Sequence, residues 1–86
     1  MNGHQSHEDI IKRIKRAQGH LTKVLTMIEE GEGCLKTAQQ FHAVVRALGN
    51  AKRVFIQDHI DHCITDNDMK NQEKTIKELK EIVKYL

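Results

Sequence analysis

Three residues carry the chemistry that stands out in this chain: Cys34, His59 and Cys63. His59 and Cys63 are four residues apart, so on a helix their side chains leave the same face about 6 Å from each other. That spacing suits two ligands of one metal ion. Cys34 comes twenty-five residues before His59, which on a continuous helix is a separation of about 37 Å. One chain therefore cannot bring Cys34 to the pair. The same length forbids an intrachain Cys34–Cys63 disulfide, whose Cα atoms must lie within about 7 Å. Two copies of the helix packed antiparallel and crossing near Leu48 remove the obstacle, because Cys34 of one copy then faces His59 and Cys63 of the other. Gly49, beside that crossing, would let the backbones approach. Two-fold symmetry makes two such shared sites. Two thiolates and an imidazole are soft ligands that select Cu(I) over hard cations, whereas a structural zinc site normally draws four ligands from protein.

The remaining histidines rank below this set. His62 adjoins Cys63, and His4 and His7 sit near the N-terminus; all three are candidate additional ligands. His20 and His42 read as surface or phosphate-contacting groups. Met27 reads as a packing residue, as does Met69.

Basic residues supply a second kind of chemistry. Lys12, Arg13, Lys15, Arg16, His20 and Lys23 crowd the polar side of one helix, and Arg46, Lys52 and Arg53 follow on the next. The bland reading is a solvated face. Positions 12, 16, 20 and 23 nevertheless form one stripe, and arrayed cations neutralise phosphates with steep salt dependence. Lys52 interrupts an apolar stripe, where its stem can lie on the surface with its amine in water. No helix-turn-helix spacing is visible, so shape and groove readout are expected to outweigh a recognition helix.

Three helices must position these groups. In the first, Ile10, Ile14, Ala17, Leu21, Val24 and Ile28 recur at spacings of four and three, the period of one apolar stripe. Ser6 is its expected N-cap and Gly31-Glu32-Gly33 its stop. The second runs from Cys34 to about Thr65 with the stripe Cys34, Ala38, Phe41, Val45, Leu48, Lys52, Phe55, His59. It is a rod of roughly 45 Å that needs partners along its length. A turn at Asp66-Asn67-Asp68 leads to a third helix with Ile76, Leu79, Val83 and Leu86 on one face.

With 86 residues, no Pro, no Trp and only Phe41, Phe55 and Tyr85 as aromatics, the expectation is one all-α domain spanning 1–86, completed by oligomerisation. Nothing approaches the roughly 18 apolar residues of a membrane span, and MNGHQSHEDI has no signal-peptide core. The expected location is the cytoplasm, where both thiols stay reduced. The net charge of +2 is too small to identify a nucleic-acid binder. No nucleophile, base and acid suggest an enzyme.

On the stretches IIKRIKRAQG (10–19), MIEEGEGC (27–34), Gln39-Gln40 and HIDHC (59–63), the chain resembles the CsoR/RcnR/FrmR family of small bacterial repressors along nearly its whole length. The resemblance implies a three-helix protomer, an antiparallel four-helix-bundle dimer and a dimer-of-dimers tetramer. It also implies operator DNA bound through basic residues of the first two helices, and release when the ligand binds. Carried over, Cys34, His59 and Cys63 fall on the ligand positions of the copper-sensing branch. The nickel- and cobalt-sensing branch has His where Cys63 stands, the formaldehyde-sensing branch has Glu there, and the persulfide-sensing branch lacks the histidine. Some nickel sensors use the same three residues plus an upstream His. One departure is Gly33, where copper sensors often place Tyr. Their acidic partner on the third helix corresponds to Glu73 or Glu78.

The leading expectation is thus a Cu(I)-responsive repressor, with Ni(II) or Zn(II) as alternative metals. A reactive-cysteine sensor of formaldehyde or persulfide is the second reading, with Cys34 as nucleophile and His59 lowering its pKa. A metal buffer without a DNA role is the third.

Overall fold

The computed structural model describes the backbone of residues 4–65 and 72–86, and the side chains of 7–62 and 72–86. Helix α1 spans His4–Glu29, α2 spans Cys34–Thr65 and α3 spans Gln72–Ile82, followed by a short 3-10 turn at Val83–Tyr85. The Asp66-Asn67-Asp68 turn and Met69 lie outside the described residues.

Helix α1 begins before its expected cap, so Ser6 is a helical residue and not the N-cap. Its end follows the expectation. Gly31 takes φ of +67°, the left-handed conformation that glycine adopts without a Cβ clash. The amide of Glu32 then donates to the carbonyl of Met27 at 3.0 Å and that of Gly31 to Ile28 at 3.2 Å. This pair of bonds is a Schellman stop, which satisfies the last carbonyls of the helix. Two residues later the carbonyl of Gly33 accepts from the amide of Thr37 at 3.0 Å and α2 has begun. So short a link forces α1 and α2 into an antiparallel hairpin.

The hairpin core is narrow. Ile10, Ala17, Val24 and Met27 of α1 are buried, as are Val44, Ala51 and Ile56 of α2. Half of the apolar stripe expected in α1 is therefore core, and Met27 joins it as a packing residue. The stripe expected in α2 is not the core. Phe41, Val45, Leu48 and Phe55 stand on the flank of α2 beside its contact with α1, where they join Ile14, Leu21, Leu25 and Ile28; all eight are 41–56% exposed. Helix α2 carries two apolar faces, and the described residues of a protomer cover only one of them. Gly49 lies on neither flank of the hairpin. It is half-buried toward the C-terminal end of the chain, in a groove with Lys52, Arg53, Gln57 and Leu86.

The protomer measures 57 × 27 × 14 Å. Its thinnest dimension is close to the diameter of one helix with side chains, about 10–12 Å. It is one layer of helices, and an apolar layer is stable only when another layer covers it. Helix α3 contributes no buried residue, only the half-buried Thr75, Leu79 and Ile82.

Candidate functional site

The two sides of the α1–α2 hairpin differ in chemistry. On one flank, Ile10, Ile14, Leu48, Ala51, Lys52 and Phe55 line an open apolar groove of about 340 Å³. Cys34, exposed in the first turn of α2, and His59, half-buried in its seventh, belong to this flank of α2. They share a face because twenty-five residues are nearly seven whole turns of an α-helix. Among the described residues, no three His, Cys, Asp or Glu side chains of one protomer converge on a common point. Within one protomer, the uninterrupted α2 keeps Cys34 away from His59.

His59 is oriented by the third helix. Its Nε2 donates to Oε1 of Glu78 at 2.9 Å, with the imidazole 34% and the carboxylate 55% exposed. A carboxylate only accepts, so Nε2 carries a proton, and in the neutral ring that tautomer leaves the lone pair on Nδ1. Metal-binding histidines are commonly held in this way, with the second ring nitrogen bonded to a carboxylate. Of the two acidic residues suggested by the sequence, Glu78 makes the contact. An accessible thiol and an imidazole with one fixed free nitrogen fit a soft, low-coordinate metal ion. Cys63 lies one turn beyond His59 on α2, with its side chain outside the described residues.

The N-terminal histidines divide. The side chain of His4 is outside the described residues. His7 reaches the far end of its own α2: its Nε2 is 3.1 Å from Oδ2 of Asp58, and its ring stacks on Phe55 with centroids 6.0 Å apart and planes at 24°. It thus pairs with the residue preceding His59. His62 is exposed in the last turn of α2.

The opposite flank is basic. Arg13, Arg16 and His20 of α1 face Ala47 and Asn50 of α2 across a groove of about 270 Å³ floored by Ala17. Lys12, Lys15 and Lys23 are exposed along the same helix. Oδ2 of Asp9 accepts from Nε of Arg13 at 2.8 Å. The Arg13 hydrogen bond, helped by the charges of Arg16 and Lys12, holds the Asp9 carboxyl below its usual range. Arg46 and Arg53 are exposed on the outer side of α2. Lys52 is the exception among the expected DNA contacts. It lines the apolar groove, on the flank away from Arg13 and Arg16.

Sequence reasoning missed three polar partners. Oε1 of Gln40 accepts from Nε2 of His20 at 2.7 Å, tying α1 to α2 on the basic flank. Oδ1 of Asn50 accepts from Nη1 of Arg53 at 2.6 Å. Asp58 holds His7. Only the second, at a spacing of three within one helix, was accessible from local spacing.

No described helix is long and apolar enough to cross a membrane. Residues 6–85 match the family described as metal-sensitive transcriptional repressor. Over 61 residues, 71% of this chain and 64% of the relative, the chain is 31% identical to the copper-sensing transcriptional repressor RicR of Mycobacterium tuberculosis. It is 30% identical over 78 residues, 90% of this chain and 77% of the relative, to the copper-sensing transcriptional repressor CsoR of Bacillus subtilis. The chain therefore spans less than two thirds of RicR but more than three quarters of this CsoR. Among solved structures it is similar to the nickel-responsive transcriptional regulator InrS, with a TM-score of 0.79 and 33% identity, covering 91% of this chain and 89% of that one. A fold and a matched stretch of this extent leave one assignment: the chain belongs to the metal-sensitive transcriptional repressors, a family of regulators and not of enzymes.

Proposed function

We propose that the chain is a cytoplasmic repressor, its residues 1–86 acting as one domain, that leaves operator DNA when Cu(I) binds Cys34 of one protomer with His59 and Cys63 of another. The observation that carries this reading is the placement of an accessible thiol and an oriented imidazole at opposite ends of one uncovered apolar face. Two such faces packed antiparallel supply each other's missing helix layer. The same packing sets Cys34 against the partner's His59 and Cys63. The dimer then exposes two basic flanks, and a dimer of dimers exposes four.

Each protein group has a separate task. Glu78 keeps the His59 ring in the tautomer whose Nδ1 can ligate. Cys34 and Cys63 supply thiolates, and Arg13, Arg16, Lys12, Lys15, Lys23, Arg46 and Arg53 supply charge to the phosphate backbone. Cu(I), when bound, supplies a link between two chains. Any ligand that prefers one quaternary arrangement depletes the other, and here the depleted one is the arrangement that fits DNA.

Nickel is the second reading, favoured by the likeness to InrS. The test is anaerobic titration of DNA-bound protein with Cu(I), Ni(II), Zn(II) and formaldehyde in parallel. Cu(I) is expected to release DNA near one equivalent per chain, and Cys34→Ala or His59→Ala to abolish the response. Release by Ni(II) alone would transfer the assignment to nickel. A covalent adduct on Cys34 that releases DNA would replace metal sensing with cysteine modification.

A further inference from the structure

We infer that the groove between α1 and α2 on the basic flank seats one backbone phosphate of duplex DNA, held by Arg16 and a protonated His20 of α1 and the side-chain amide of Asn50 of α2. The inference rests on the DNA-binding reading above and goes further by naming a seat, its donors and a coupled proton.

The groove is suited to an anion. Its lining is Arg13, Arg16, Ala17, His20, Ala47 and Asn50, with no carboxylate among them. Ala17 and Ala47 leave the floor open, and about 270 Å³ is ample for a tetrahedral phosphate group. Arg13 is already engaged by Asp9. Arg16 has no ion pair among the described residues, so its full charge is available to an incoming anion.

The two neutral-looking donors are oriented by neighbours that are not themselves in the groove. Arginine can only donate, so the oxygen of Asn50 is the atom turned to Arg53, and its NH₂ group is left to donate elsewhere. Gln40 accepts from Nε2 of His20, which places the proton of the neutral ring on that nitrogen. Nδ1 can therefore donate to a phosphate oxygen only after the ring takes up a second proton from solvent. The groups facing His20 are Arg13 and Arg16 from α1 and the uncharged Gln40, Ala47 and Asn50 from α2; Lys23 follows one turn along α1. DNA binding at this seat is consequently linked to proton uptake by His20, in the interval of about pH 5 to 8 where histidine changes charge. Gln40 acts as a positioning residue.

The experiment is fluorescence anisotropy of the full-length protein on a mixed-sequence DNA duplex, across a salt series and at several pH values. Wild type is compared with His20→Gln, Asn50→Asp and Gln40→Ala, and with Lys77→Ala on α3 as a charge-loss control. His20→Gln keeps a donor for Gln40 while removing the titrating group, and far-UV circular dichroism checks the fold of each variant. For His20→Gln the slope of log affinity against log salt should fall by about one. The same variant should lose the tightening that wild type shows between about pH 8 and pH 6. Asn50→Asp should weaken binding at least about tenfold, because it puts a carboxylate beside the phosphate. Gln40→Ala should weaken the pH dependence without changing the high-salt limit. Lys77→Ala should keep the wild-type slope and pH response. Folded His20→Gln and Asn50→Asp that bind with the wild-type slope and pH profile would overturn the seat while leaving DNA binding intact. Wild-type protein that binds no duplex even at low salt would overturn the DNA-binding reading itself.

Discussion

Nε2 of His59 lies 2.9 Å from Oε1 of Glu78, a contact between the third helix and the C-terminal part of the second. Because α3 buries no side chain of its own, this bond fixes the imidazole more than it stabilises the fold. Glu78→Ala is expected to lower Cu(I) affinity about 10- to 100-fold. Competition against a chromogenic Cu(I) chelator measures it, and circular dichroism should show little change in helix content. Undiminished affinity would mean that the carboxylate does not orient the ligand.

The uncovered flank makes a prediction about assembly. Leu48 stands near the middle of α2 among Phe41, Val45 and Phe55. Leu48→Glu would bury an unpaired charge in any interface formed there, at a cost on the order of 3–5 kcal/mol. Sedimentation equilibrium is expected to show an oligomer for wild type and a monomer for the variant, whose melting temperature no longer rises with protein concentration. A wild-type monomer at micromolar concentration would remove the shared metal site together with the interface.

The link between α1 and α2 is tested at Gly31. Its φ of +67° is paired with open space, since a Cβ built there meets nothing within 4 Å. Only backbone strain should then register. Gly31→Ala is expected to destabilise the protein by about 1–2 kcal/mol, read as a lower urea midpoint at unchanged slope.

Asp9 offers a pH-dependent test at the edge of the basic flank. Its carboxyl is held low chiefly by the Arg13 hydrogen bond. A lowered folded value favours the ionised form, so the pair's contribution is present above the ordinary carboxyl range. It is lost as pH falls through the lowered value. The pair is exposed, and its effect on stability should be slight. Its effect on DNA should be larger, because Asp9 cancels a charge that phosphates would otherwise meet. Asp9→Asn is expected to tighten DNA binding at neutral pH and to steepen the salt dependence by about one. An unchanged slope would show that Arg13 does not reach the backbone.

How much of this could be read from residue spacing depends on the range of the interaction. The 4-3 repeat of α1, the glycines that stop it and the unbroken run from Cys34 to Thr65 are local signals, and all appear in the fold. The stripe through Phe41, Val45 and Leu48 was legible as apolar, but a repeat does not say which neighbour covers it. A second apolar row, Val44 and Ala51, took the contact with α1. The expected N-cap at Ser6 failed because a hydroxyl can cap a helix or sit inside its first turns, and α1 extends beyond it. The repeat set Lys52 on the apolar stripe, and the hairpin leaves it on that flank, away from Arg13 and Arg16.

The sequence by itself determined the three helices and the separation of Cys34 from His59, because a helix converts residue count directly into distance and direction. The tertiary structure decided which face of α2 stays open, that Glu78 and not Glu73 holds His59, that His7 meets Asp58, and that His20 meets Gln40 beside Arg16. Those are contacts between elements, set by how α1 and α3 lie against α2. No period within one helix encodes the rotation of its neighbours.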